Sequence, residues 1–275
     1  MNALEIKNVN KHYKKFSLEE VSFCVERGTV TGLIGENGAG KSTLIKAILG
    51  LTEYDGEILA NGKPTKKLTY DERKKTGFVL GDRSLPESLT VCEFSSVLRK
   101  FYGKAWDRQT FARFTDKFAL PEKKRIGELS TGMRAKCALA AALSHSADTL
   151  LLDEPTSGLD PVARDDILDV LYDFMQDETH TVLISSHITG DLEKLCDRIV
   201  FMHEGRVLLS EDKDDLLCRY SVVIGADETD IKNAVRIIRR TYGTDALVPA
   251  DKAGENRAYA GLDDIMNFFI RGEKQ

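Results

Sequence analysis

Apolar and polar positions along this chain follow two different periods, and each change of period marks an element. Ala3-Leu4-Glu5-Ile6-Lys7-Asn8-Val9 alternates as a half-buried strand does, and Val21-Ser22-Phe23-Cys24-Val25 alternates again. Short runs of buried-strand type follow at 30–34, 77–80, 149–153, 181–185 and 198–202, and a strand over 56–60 enters a tight turn at Asn61-Gly62. Between them the spacing turns helical. Residues 44–49 read as a helix stopped by Gly50. Leu89, Phe94, Val97, Leu98, Phe101 and Tyr102 recur at helical spacing, as do Phe111, Phe114 and Phe118, until Leu120-Pro121 closes the segment. Ser130 precedes a long Ala-rich helix over 132–145, and Asp160-Pro161 starts another. Repeated strand–helix alternation predicts an α/β fold with a mainly parallel sheet covered on both faces.

Past about residue 212 the pattern thins. A strand is predicted over 221–225, then a capped helix over 227–242 with Ile231, Val235, Ile238 and Tyr242 on one face. Leu262, Ile265, Met266 and Phe269 make a second apolar stripe. The predicted organisation is a domain over 1–212, carrying a mostly helical insert at about 82–145, and a small α/β extension over 213–275 that serves packing.

Composition narrows the class. At 275 residues the chain can bury a sizeable core, and 30% charged with 42% hydrophobic residues is ordinary for a soluble globular protein. A net charge of −5 argues against nucleic acid as a partner, and Lys63, Lys66, Lys67 and Lys123-Lys124-Arg125 read as solvated faces. Cys24, Cys92, Cys137, Cys196 and Cys218 form no C-x-x-C pair or metal-ligand spacing, and three of them sit within apolar patterns, so buried free thiols in a reducing compartment are expected. The N-terminus lacks a charged-then-apolar signal, and no apolar run approaches the ~20 residues that span a bilayer. The expected location is cytoplasmic, with any membrane role exercised through a partner chain.

One stretch carries chemistry outright. Gly35-Glu36-Asn37-Gly38-Ala39-Gly40-Lys41-Ser42-Thr43 fits the phosphate-binding pattern G-x-x-x-x-G-K-[ST]. Its glycines let successive N–H groups of Gly38, Ala39 and Gly40 turn inward around an anion. Lys41 can reach β- and γ-phosphates, and the Ser42 hydroxyl can ligate Mg2+. A strand before and a helix after place the phosphates at a helix N-terminus. Far along the chain, 112 positions after Lys41 (153 − 41), the apolar run Leu150-Leu151-Leu152 ends in Asp153-Glu154. A carboxylate at the end of a buried strand is costly unless it is paired or holds a cation. Asp153 suits an outer Mg2+ partner through water, and Glu154 can accept a proton from an attacking water. Tyr13, on the basic turn Lys11-His12-Tyr13-Lys14-Lys15, either stacks on a purine or is an exposed turn residue.

Leu129-Ser130-Thr131-Gly132-Met133, followed by the run Leu150 to Pro161 with its Asp153 20 positions later (153 − 133), resembles the signature of the ATP-binding subunits of ABC transporters. The resemblance covers about residues 2–212 in order: phosphate loop, signature, acidic pair, the Ser157-Gly158-Leu159-Asp160 loop, and His187 after a strand. It implies a P-loop NTPase fold, a RecA-like mainly parallel sheet with an antiparallel β region at the N-terminus. It also implies ATP and Mg2+ as ligands and a partner subunit in the membrane. Two ATPase subunits, identical or related, would stack head to tail, with Ser130, Thr131, Gly132 and Met133 of each facing the partner's ATP and Asp160 in the dimer loop. His187 matches the family's switch histidine and Tyr13 its adenine-stacking aromatic. The chain would then be a peripheral ATPase on the cytoplasmic face of the cell membrane.

Departures from the family pattern are few. Where it carries a Gln that senses γ-phosphate and Mg2+, this chain has Gly81 and Asp82, and Asp82 is a further candidate metal ligand. Thr131 and Met133 replace the commoner Gly and Gln, while Gly132, where bulk would block phosphate, is kept. The Ser-x-Gly-Met form, the short insert and the ending from Leu262 to Gly272 look most like bacterial exporters of drugs, peptides and lantibiotics. The rivals are a soluble ABC ATPase acting on ribosomes or DNA and an ATP-binding regulatory module. A single cassette, no sustained heptads and a full set of acids weigh against both.

Overall fold

The computed structural model describes residues 1–81, 85–253 and 257–274, and their strands form three sheets. The first consists of β1 (Asn2–Tyr13), β2 (Phe16–Glu26), β4 (Asp55–Ala60) and β5 (Lys63–Pro64), antiparallel in the order β2-β1-β4-β5. The second contains β3 (Val30–Ile34), β6 (Thr76–Leu80), β7 (Thr149–Asp153), β8 (Thr181–Ser186), β9 (Arg198–His203) and β10 (Arg206–Asp212). Its order is β10-β9-β3-β8-β7-β6, with every pair parallel except the reversed edge strand β10.

The central strands β3, β7 and β8 are buried at every position because both faces are covered. Their period of two sorts them into separate cores. Leu150, Leu152, Val182, Ile184, Ile199 and Phe201 join one cluster, whereas Leu151, Leu183, Val200 and Met202 join the other. The second cluster packs under α1 (Lys41–Ile48) and the antiparallel sheet. The first meets α3 (Val91–Tyr102) and α4 (Arg108–Lys117), which lie beyond the one-turn α2 (Tyr70–Arg73), together with α5 (Thr131–Ala142) and α6 (Pro161–Phe174). α7 (Thr189–Leu195) follows β8 on the same side, through Leu192. Parallel register brings the carboxyl ends of three strands to one edge: Leu33 lies opposite Ser185, and Ser185 opposite Asp153. Gly35, Glu154 and His187 therefore leave the sheet side by side.

The Ala-rich helix ends at Ala142, three residues before the predicted limit. Beyond it His145 is buried, stacks on Tyr102 with ring centroids 4.1 Å apart, and sets Nδ1 3.0 Å from the Lys74 carbonyl. Burial holds its pKa below the ordinary histidine value.

The third sheet lies past α8 (Lys213–Arg219). It contains β11 (Tyr220–Val223), β12 (Arg236–Arg240), β13 (Gly243–Pro249), β14 (Arg257–Tyr259) and β15 (Glu273–Lys274), antiparallel in the order β14-β11-β13-β12-β15. The helix predicted over 227–242 is not formed as such. Asp227 does cap a helix, α9 (Glu228–Asn233), but Ala234 is extended and 236–240 pair with β13. Val235, Ile237 and Ile238 suit a pleated surface better than a helix, and the most buried of them is Ile237, off the helical stripe. α10 (Leu262–Arg271) forms as expected and packs Phe269 edge-on against Phe201 and Tyr220.

Only Cys137 and Cys196 are buried; Cys24, Cys92 and Cys218 are exposed, which corrects the expectation of buried thiols. Cys24 falls on the solvent side of the alternation in β2. No helix among the described residues is long and apolar enough to cross a membrane.

Candidate active site

The phosphate loop begins where β3 stops. A Cβ on Gly35 would sit 2.4 Å from the Met202 carbonyl oxygen, so only glycine lets the chain leave this close to β9. Gly40, at φ +107°, opens α1 without any side-chain cap. The first-turn N–H groups of that helix are thus left for an anion. Lys41 is buried, and its ammonium donates to the carbonyls of Gly35 (2.7 Å) and Glu36 (3.2 Å) while pairing with Glu154 Oε1 at 3.3 Å. From beneath, Gly205 N donates to the Ala39 carbonyl at 3.1 Å and His203 pairs with Glu36 at 2.8 Å. The β9–β10 turn therefore braces the loop.

Over this loop lies a cleft of about 450 Å³, lined by Asn37, Gly38, Ala39, Gly40, Lys41, Ser42 and Thr43 with Phe16, Glu154, Ser157 and His187. Asp153 is buried beside Ser42. Its Oδ1 accepts from the Ser42 hydroxyl at 3.0 Å and from the Ser185 hydroxyl at 2.7 Å. Glu154 takes a left-handed backbone, φ +53°, held by its N–H, which is shared between the carbonyl and hydroxyl oxygens of Ser185, each at 3.1 Å. Such strain in a non-glycine residue persists only where the surroundings fix it. It aims the carboxylate across the cleft, Oε1 toward Lys41 and Oε2 to His187 Nδ1 at 2.6 Å. Ser42 and Asp153 offer a hydroxyl and a carboxylate side by side, an all-oxygen donor set that fits Mg2+.

Other predicted site residues lie elsewhere. Tyr13 ends β1, half exposed, with its hydroxyl 3.3 Å from Thr52; Phe16 rather than Tyr13 lines the cleft. Ser130 caps α5, accepting from Met133 N at 3.2 Å, and Arg134 folds back onto Leu129 O and Thr131 Oγ1. Among the described residues, none of Ser130, Thr131, Gly132 or Met133 lines the phosphate cleft. A Cβ on Gly132 would meet Ala163 Cβ at 3.3 Å, so its smallness already serves the approach of α5 to α6. Asp160 caps α6 by accepting from Ala163 N at 3.0 Å. Asp82 lies outside the described residues.

A family model described as ABC transporter matches residues 18–157, just over half of the chain. The chain belongs to the ABC transporter family. Among curated relatives it is 37% identical to the Nod factor export ATP-binding protein I of Burkholderia lata, across 95% of this chain and 83% of that protein. It is 34% identical to the methionine import ATP-binding protein MetN of Clostridioides difficile, across 78% and 70%. A dimeric ATP-binding cassette solved in a post-hydrolysis state with ADP and Pi superposes with a TM-score of 0.67 at 26% identity, covering 76% of this chain and 98% of that one. The fold is that of ABC cassettes, and the protein is an ABC ATPase, the ATP-binding subunit of a transporter.

Two residues that build this ABC ATPase's site, Phe16 in the cleft and Ser185 behind the acidic pair, escaped the sequence reading. Phe16 gave a signal, an aromatic three residues past Tyr13 at the start of a strand. Ser185 gave almost none: it reads as the polar end of a β-branched run, and only strand register sets it against Asp153.

Proposed function

We propose that this ABC ATPase drives export through a separate integral membrane subunit, at the cytoplasmic face of the cell membrane, as one of two paired cassettes. The relative named for Nod factor export supports the direction. Its alignment omits about 14 residues of this chain, too few to leave out the 63 residues past position 212. ATP would lie with its phosphates along 35–43 and its adenine toward the aromatic faces of Tyr13 and Phe16. Lys41 would exchange the Glu154 carboxylate for β- and γ-phosphate oxygens, releasing Glu154 to take a proton from the attacking water. His187 would orient that water and the γ-phosphate. Ser42 and Asp153 would hold Mg2+, which when bound neutralises phosphate charge. Ser130 to Met133 of the second cassette, identical or related, would close the site, with Asp160 at the dimer loop.

The observation that carries the catalytic reading is the 2.6 Å contact between Glu154 and His187 at the cleft, beside Lys41. Glu154→Gln should keep ATP binding, accumulate an ATP-bound dimer on size exclusion and lose turnover by about 10²–10³-fold. Undiminished hydrolysis would remove Glu154 as the base. Direction is read in vesicles, by co-reconstitution with the membrane subunit that co-purifies with this chain. ATP-driven cargo movement toward the cassette side would replace export with import.

A further inference from the structure

Beyond the sheet edge, nothing in the strands themselves fixes Glu154 against His187. Both residues have left the β7–β8 ladder, which ends in the pair Asp153 and Ser185. Below them the Ser185 contacts to Glu154 N hold one side. Above them the structure supplies a second tie. Thr156, two residues after Glu154, donates its hydroxyl to Asp191 Oδ2 at 2.7 Å, and Asp191 lies four residues after His187 at the start of α7. Thr156 is fully buried and Asp191 nearly so. Arg164 of α6 sets Nε 3.8 Å from the same carboxylate oxygen, and that Nε is itself buried without a hydrogen-bond partner among the described residues. The turn between the strand and α7 is closed by Ile188 N donating to Ser186 Oγ at 2.9 Å.

We infer that Asp191 and Thr156 are positioning residues for hydrolysis, a clamp that sets the separation of Glu154 and His187 by joining the two loops that carry them. The inference rests on the proposed roles of Glu154 and His187. A buried carboxylate is costly, and here its main short partner is the hydroxyl of one specific loop. Apolar packing would hold the two loops together more cheaply, but a directed hydrogen bond also fixes their register. Neither residue lines the phosphate cleft, so neither should contribute to nucleotide affinity. Their effect belongs in turnover, through the geometry of the pair they hold.

The test is steady-state hydrolysis and melting of Thr156→Val, Thr156→Ser, Asp191→Ala and Asp191→Asn, alongside Glu154→Gln. Thr156→Val keeps shape and deletes the donor; it should lower kcat about tenfold or more with KM for ATP little changed, as should Asp191→Ala. The double variant should lose no more than either single one. Thr156→Ser keeps the hydroxyl and Asp191→Asn keeps an acceptor oxygen, so both should retain turnover near that of the unaltered chain. If Asp191→Ala does not fold, the Thr156 pair decides alone. Unchanged kcat in Thr156→Val, or equal losses in Thr156→Val and Thr156→Ser, would overturn the clamp while Glu154→Gln remains inactive. Full turnover in Glu154→Gln would overturn the reading of the site and the clamp with it.

Discussion

Two helices of this protein open on glycine-bearing motifs, and their first turns are built to opposite plans. α1 begins at Gly40 with no side-chain cap, and Lys41, Ser42, Asp153, Glu154 and His187 converge on it from the same chain. α5 begins at Ser130, whose hydroxyl already satisfies Met133 N, and Arg134 is turned back on its own strand of chain. One end is left open toward an anion and surrounded by chemistry. The other is capped, exposed at Ser130 and set apart from those acids. In the proposed pairing of two cassettes, a first turn furnished this way would contribute to catalysis only by meeting the partner's nucleotide.

That contrast can be broken most directly at Lys41. Lys41→Ala should weaken nucleotide binding by the isolated chain about 10- to 100-fold, the worth of a charged hydrogen-bond set, as measured by calorimetric titration. Gly40→Ala tests whether the open end tolerates a side chain. The new Cβ would lie 2.6 Å from Leu18 Cδ2 and 2.8 Å from Phe16 Cζ in a left-handed backbone, so a loss of about 1–3 kcal/mol is expected in urea unfolding. Ser130→Ala, which removes the cap at the other helix start, should cost only about 1 kcal/mol of stability. It should leave nucleotide affinity of the isolated chain intact and weaken ATP-dependent pairing. An affinity loss as deep as that of Lys41→Ala would collapse the distinction.

The smallest effect concerns pH at the far end of α5. Burial depresses the pKa of His145, so the unfolded chain binds the proton first as pH falls. Stability should decline as pH drops through about 6.5, the ordinary histidine value, and level off below the folded value. His145→Gln should flatten thermal melting between about pH 7.5 and 5.5. An unchanged slope would assign the dependence to another group.

Much of the cassette could be read from the sequence because its signals are local. The phosphate loop, the apolar strands and the Ser130 and Asp160 caps each depend on a few adjacent residues. The failures are all relational. Residues 236–240 became a strand because β13 offers a partner for Ile237, a fact about position 246 as much as about 237. Gly132 gave no sign in sequence of Ala163, the neighbour that its smallness also accommodates. Cys24 sits in an apolar stretch yet points to solvent, since alternation fixes which face each residue takes but leaves open which face is covered. Ser185 and Thr156 looked like ordinary polar residues at element ends. Their roles depend on residues more than thirty positions away in sequence.

Ser185 has a single hydroxyl hydrogen, and its surroundings dictate where that hydrogen points. Asp153 takes it at 2.7 Å, which leaves a lone pair facing the Glu154 N–H at 3.1 Å. The oxygen is therefore a polarised joint with a fixed direction, donor to one acid and acceptor from the backbone of the next. The two acids are wired in series through it. A threonine would preserve the circuit. An alanine would take the hydroxyl from both at once, leaving Asp153 with Ser42 and the Glu154 N–H with the Ser185 carbonyl, so one change would loosen two acids drawn as separate residues.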